Sequence, residues 1–224
     1  MISEEKYLIF DSSSIINFSM NSSLDTLRKL KKMFGGKFLI TLPVKYEIID
    51  HPKKIRRFGL GALQIKKLLD EGVIELAENQ INKTLLNEQT REIMQKANTT
   101  LIAKNEPINI IQEGEASCIA AMILIKGEKL MVVDERTTRM LCESPENLRK
   151  LMQKKLHTGI RINKQNLNLF KNITIIRSCE LIYLAYKNKL IDLTNGNVLE
   201  SLLYAFKLKG CSISEKEIEE MKRL

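Results

Sequence analysis

Tryptophan is missing from this 224-residue chain, histidine occurs only twice, and cysteine and proline four times each. With His51 and His157 as the only imidazoles, and with Cys118, Cys142, Cys179 and Cys211 forming no CxxC pair, the chain lacks the ligand spacing of a zinc ribbon or finger. The same four cysteines make no disulfide framework. Cys118 and Cys179 fall in apolar helical patterns, as small core residues do, and a reducing cytoplasm is the expected compartment. Long hydrophobic runs are missing too. The longest, Cys118 to Ile125, is far short of a membrane span. The opening Met1-Ile2-Ser3-Glu4-Glu5-Lys6 is not basic, and the apolar run after it is too short for a secretory signal. A cytoplasmic protein with no membrane partner is therefore expected. Seven phenylalanines and five tyrosines are few, so platforms for stacking nucleic-acid bases are not evident. No internal repeat or low-complexity tract is present.

What the chain does have is apolar content, at 44%, and positive charge, at +9. The first suffices for a packed core. The second favours an anionic partner, nucleic acid first and an anionic membrane surface second. Short apolar runs bounded by polar residues read as buried parallel strands: Tyr7–Phe10, Phe38–Thr41, Val73–Leu76, Leu130–Val133 and Ile173–Ile176. Helical patterns lie between them. Ser12-Ser13-Ser14 caps a short helix through Phe18, and Ser23 caps a second, Leu24 to Phe34, stopped by Gly35-Gly36. Pro43 suits the first turn of a helix carrying Val44, Glu47 and Ile48 that Pro52 closes. Further helices are expected over Ala62–Leu69, Leu85–Lys96 and Glu113–Ile125. After the last strand the chain reads as helical over Ser178–Asn188, Asn197–Leu208 and Ser214–Lys222. Strand and helix alternate, which predicts an α/β fold: a three-layer α/β/α sandwich with a mostly parallel central sheet and a helical C-terminal extension. A soft boundary near 145–165, dense in Lys and Arg, divides residues 1–150 from a basic, helical 151–224 packed on the same domain.

Four acids stand at informative places. Asp11 and Asp134 directly follow apolar strands, where the ligand crevice of an open α/β sheet lies. Glu47 sits in the helix after the second strand, and Glu115 in the first turn of the Ala-rich helix, where the helix dipole favours a carboxylate. Carboxylates so grouped repel one another without a cation, and hard divalent ions such as Mg2+ or Mn2+ take oxygen ligands. On a basic protein, such a site suggests phosphate chemistry. Each acid alone has a plainer use as a cap, turn or solvated residue. Two basic regions accompany them: Lys53, Lys54, Arg56 and Arg57, and the stretch from Arg149 to Lys164. Either is a solvated face or a grip on a phosphate backbone. His51 reads as a turn residue.

The ordered set resembles the PIN-domain nucleases of prokaryotic type. Leu8-Ile9-Phe10-Asp11-Ser12-Ser13-Ser14-Ile15-Ile16-Asn17 resembles their opening strand, Pro43-Val44-Lys45-Tyr46-Glu47-Ile48 their second acidic element, and Gly114-Glu115-Ala116-Ser117-Cys118-Ile119-Ala120-Ala121 their third. Val132-Val133-Asp134-Glu135-Arg136-Thr137-Thr138-Arg139 resembles the fourth. The likeness covers residues 7 to about 145, and the segment from Ala185 to Ser214 resembles the helical tail of some prokaryotic members. The resemblance implies a metal-dependent endoribonuclease that hydrolyses RNA phosphodiesters with Mg2+ or Mn2+. It implies Asp11, Glu47, Glu115 and Asp134 as catalytic residues, with Asp11, Glu115 and Asp134 on the metal. Ser13, Thr137, Thr138 and Arg139 would support them or touch phosphate, and Lys53, Lys54, Arg56 and Arg57 would bind the nucleic acid. Glu115 departs from the Asp of many relatives, and Ala77–Gln112 is long for the family. Alternatives stay open: an RNA-binding or ribonucleoprotein-associated module that does not cut, and a toxin-type nuclease inhibited by a small partner protein. Homodimerisation is common in the family. A haloacid-dehalogenase-type phosphatase fits poorly, because Ser13 stands where its motif needs a second Asp.

Overall fold

The computed structural model describes residues 5–193 and 196–224; the opening Met1–Glu4 lies outside the described residues. Strands β1 (Lys6–Phe10), β2 (Lys37–Ile40) and β3 (Glu75–Leu76) lie in the central sheet, while β4 (Leu101–Ala103) and β5 (Glu106–Pro107) do not. Strand β6 (Glu128–Val132) returns to the centre, β7 (Ile160–Ile162) pairs with β4, and β8 (Ile175–Ile176) closes the central sheet's edge. The central order is β3-β2-β1-β6-β8, and every pairing in it is parallel. This is the expected α/β class with a parallel sheet, and its layering is compatible with a three-layer sandwich.

Ile9, Phe10, Phe38, Leu39, Ile40, Met131 and Val132 are all fully buried. Consecutive residues of each strand are covered on both faces, which is why these strands read as continuous apolar runs. One face meets the helices Ser12–Met20, Leu24–Phe34 and Ser178–Lys187, which contact one another. Phe34 and Phe38 touch across that side, with ring centroids 5.7 Å apart. The helix Glu113–Leu124 contacts β1 and β6 and packs on Lys83–Asn98. Gly35, at φ 67°, ends Leu24–Phe34 as expected.

Some local expectations change. Asp11, not the serine run, caps the first helix, which extends to Met20. Ser23 makes no side-chain cap on the second; its hydroxyl donates to the Asn21 carbonyl instead. The third strand shortens to Glu75–Leu76, because the Val73 and Ile74 amides are drawn back to the Leu68 carbonyl at the helix end. Residue 150 falls inside the helix Pro145–Leu156, and β8 from beyond it completes the central sheet. The long segment before the Ala-rich helix carries Lys83–Asn98 and a β4–β5 hairpin. That hairpin turns on Lys104 and Asn105, at φ 49° and 68°, with no glycine.

The C-terminal helices join the core through Phe206, which is fully buried and meets Phe18 edge-on at 5.0 Å. Phe206→Ala should cost about 3–5 kcal/mol. A urea titration should show a lower midpoint with an unchanged slope if the C-terminal helices unfold together with the sheet. A separate early transition would mean that they do not.

Candidate functional site

Strand order reverses between β1 and β6: the chain goes outward through β2 and β3 on one side and through β8 on the other. Such a reversal opens a crevice at the carboxyl ends of the two central strands. Asp11 follows β1 there, with its amide donating to the Val132 carbonyl at 2.9 Å. Its side chain is buried, only 2% exposed. Oδ2 accepts from the Ser13 amide (3.1 Å) and hydroxyl (2.6 Å), which caps the helix Ser12–Met20. Oδ1 is buried with no hydrogen-bond partner. Capping therefore uses one oxygen and leaves the other buried without a hydrogen-bond donor, a costly state for a carboxylate.

Glu115 and Glu47 face the same crevice. Glu115 stands in the first turn of its helix and Oε2 accepts from the Gln112 amide at 2.7 Å, closing a capping box. Its Oε1 takes a long contact, 3.4 Å, from the Thr138 hydroxyl. Glu47 reaches Gly114: a Cβ added to that glycine would lie 2.8 Å from Glu47 Oε1. With no side chain at Gly114, the Glu47 carboxylate takes the space a Cβ would fill and would have to move if one were added. Glu47 is brought in by an unusual turn. Thr41 caps the helix Leu42–Lys45, its oxygen hydrogen-bonded to Ser117 at 2.6 Å. The helix then widens to a π-helical turn, Tyr46–Asp50, in which the His51 amide donates to the Tyr46 carbonyl five residues back.

The acids sense one another. Burial pushes the Asp11 carboxyl up to about 6, against the Ser13 hydrogen bonds that lower it, and the charge of Glu47 adds to the rise. Burial likewise pushes Glu115 up to about 7, with Asp11 and Glu135 adding repulsion. Cys118 lies beneath the group, its thiol donating to the Phe10 carbonyl at 3.5 Å. Burial first, then Asp11, Glu115 and Glu47, holds that thiol well above its usual range, so it is inert filler rather than a nucleophile.

Asp134, expected with these acids, is placed differently. Oδ1 accepts from the Ser178 amide (2.8 Å), and Oδ2 from the Ser178 hydroxyl (2.5 Å) and Asn17 Nδ2 (2.8 Å). Strand register explains this. Phe10 pairs with Val132, so Asp11 is level with Val133 and Asp134 lies one residue further on. Alternation then turns Asp134 to the opposite face from Asp11, toward the helices Ser12–Met20 and Ser178–Lys187. Glu135 follows, adds negative charge beside Glu115, and caps the helix Arg136–Glu143 through the Thr138 amide at 2.8 Å. Of the pair Asp134-Glu135, which the sequence offers as a cap for the helix after the fourth strand, it is Glu135 that caps it.

The other expected residues divide. Ser13 holds Asp11 and also accepts from the Asp134 amide at 3.1 Å, so it links both strand ends. Thr138 is buried between Glu115 and Glu135, whereas Thr137 is half-buried with no side-chain hydrogen bond among the described residues. Arg139 is turned away, donating to the Ser212 carbonyl at 3.1 Å and facing Glu143 at 3.4 Å. Lys53, Lys54, Arg56 and Arg57 are exposed on the turn beyond the π-helical segment. Arg149, Lys150 and Lys154 line a separate open pocket with His157.

All donors in the crevice are carboxylate oxygens, which suits a hard divalent cation. The unpartnered Oδ1 and the mutually raised acids fit that demand. As the side chains stand, no three His, Cys, Asp or Glu among the described residues enclose an ion. Glu115 is turned back to its helix cap, so binding would need that cap to open. Comparison with protein-family models, with curated proteins and with solved structures returned no match. Among the described residues, no helix is long and apolar enough to cross a membrane.

Two outcomes follow. Asp11 and Glu115 have folded-state pKa values above their ordinary 3.8 and 4.5, so the folded state binds more protons between about pH 4 and pH 7. Metal-free protein should therefore be most stable near the acid end of that window and lose on the order of a few kcal/mol as pH rises through 7. Thermal melts should show the loss shrinking in Asp11→Asn and Glu115→Gln, and in wild type with Mn2+ added. Asp134→Asn should instead destabilise at all pH values, by about 2–3 kcal/mol, because an amide nitrogen would face a donor of Ser178 or Asn17. Denaturant midpoints for the variant would check this.

Proposed function

We propose that the crevice hydrolyses RNA phosphodiesters as a metal-dependent endoribonuclease, the activity that the resemblance to PIN-domain nucleases implies. The observation that carries this reading is the buried, unpartnered Asp11 Oδ1 beside Glu47 and Glu115 at the switch point of a parallel sheet. A divalent ion bound there would supply Lewis-acid polarisation of the phosphoryl group and lower the pKa of an attacking water. Asp11 and Glu115 would hold it, and Glu47, fixed over Gly114, would orient the water. Ser13 keeps Asp11 Oδ2 occupied and leaves Oδ1 without a donor. Thr138 steadies Glu115, and Glu135 supplies further negative charge. Asp134 acts as a positioning residue, locking the loop that carries Glu135 to Ser178 and Asn17. The net charge of +9 suits a polyanionic substrate.

This division of roles dictates the test. Because Asp134→Asn disturbs folding, loss of activity in that variant would not identify a ligand. End-labelled single-stranded RNA should be cut with Mn2+ and not with EDTA. Asp11→Asn and Glu115→Gln should each lower the rate roughly 100-fold or more while the protein stays folded. Gly114→Ala should leave stability within about 1 kcal/mol, since helix propensity offsets the moved side chain. By displacing the Glu47 carboxylate it should still lower the rate at least roughly tenfold. Cleavage that survives Asp11→Asn would remove the assignment.

A further inference from the structure

A groove of about 630 Å³ lies between the helix Ser12–Met20 and the segment 51–65. Ile16, Met20, Ile48, Ile55 and Ile65 form its apolar lining. Phe58 stands in its wall, 48% exposed, with the Arg57 guanidinium over its ring at 5.4 Å. His51 also lines it. The π-helical turn, by joining residues five apart, brings the His51 ring to 6.0 Å from Tyr46, which is 54% exposed. Tyr46 immediately precedes Glu47 in the chain. The ion pairs nearest along the chain are Lys45–Asp50 and Lys66–Asp70. Between them Lys53, Lys54, Arg56 and Arg57 have no carboxylate partner among the described residues.

We infer that this surface is a binding track for single-stranded RNA that feeds the acidic crevice, with bases against Phe58 and the Tyr46–His51 pair and phosphates on the four cations. The inference rests on the nuclease reading for its direction, toward Glu47, but its chemistry stands on the surface itself. Unpaired cations beside exposed rings and an apolar floor match a ligand that carries both negative charge and flat faces. A duplex offers the charge but keeps its bases stacked inside, so the track selects single strands. Base stacking is tolerant of sequence, and the track has few fixed donors to read base edges, so weak sequence preference is expected.

Fluorescence anisotropy of a short labelled RNA, measured in EDTA so that nothing is cut, tests it. Wild type should bind the single strand and bind the same RNA poorly once annealed to its complement. Tyr46→Ala and Phe58→Ala should each weaken binding roughly tenfold. Phe58→Leu, which keeps apolar bulk but loses the ring, should not restore it. Lys54→Gln and Arg56→Gln should each flatten the dependence of log K on log salt by about 0.7. All four side chains are solvent-exposed, and circular dichroism should be unchanged. Equal affinity for duplex, full rescue by Phe58→Leu, or affinity unmoved by the ring substitutions would overturn the track. So would absence of RNA binding, which would leave the groove to a protein partner. None of these results depends on turnover, so Mn2+-dependent cleavage with its Asp11→Asn control judges the nuclease reading separately.

Discussion

The hydrogen-bond knot around Asp134 holds the working end of the sheet together. Its two oxygens take the Ser178 amide and hydroxyl and the Asn17 amide, and Asn17 also donates to the Phe206 carbonyl at 3.0 Å. One buried carboxylate thus joins the loop after β6 to the helices Ser12–Met20, Ser178–Lys187 and Val198–Leu208. The Ser212 amide donates to the Asp134 carbonyl, and Arg139 and Arg177 both hold the Ser212 carbonyl. Arg177 is itself paired with Glu180 and Glu217. Burial would raise the Glu217 carboxyl, but its hydrogen bonds to Ser214 and Arg177 bring it down to about 2. A charge as buried as Arg177 is tolerable only because these partners are complete. The C-terminal helices are therefore part of the scaffold that fixes the crevice.

The crevice beyond that knot has the opposite character. Both oxygens of Asp134 are filled; on the Asp11 face an oxygen lacks a donor and the neighbouring acids raise one another's pKa. The two faces are separated by a single residue of strand register. Satisfied polar groups give rigidity, and unsatisfied ones store the free energy that a bound cation and an anionic substrate would release.

Much of this was legible in the chain. Parallel strands covered on both faces leave continuous apolar runs, and β1, β2 and β6 were found within a residue or two for that reason. The hairpin β4–β5 was missed because its strands are two or three residues long and its turn uses Lys104-Asn105 where glycine is the usual signal. The acids could be located from their place after strands and at helix starts. Which of Asp134 and Glu135 enters the crevice could not, since that depends on how β6 is registered against β1. The exposed rings escaped notice because composition counts aromatics without saying where they lie. Tyr46 and His51 become neighbours only through a turn with one residue more than an α-helix allows.

That extra residue constrains the length of the chain. An ordinary α-helical path through Tyr46–Asp50 would need one residue fewer, and each residue removed swings what precedes it by about 100° about the helix axis. Glu47 would then leave Gly114 and Tyr46 would leave His51 in the same movement. Substitution can alter the acid or the ring separately. A one-residue deletion here would take away both at once, so the spacing between Thr41 and Pro52 is as much a determinant of the site as the identity of any residue within it.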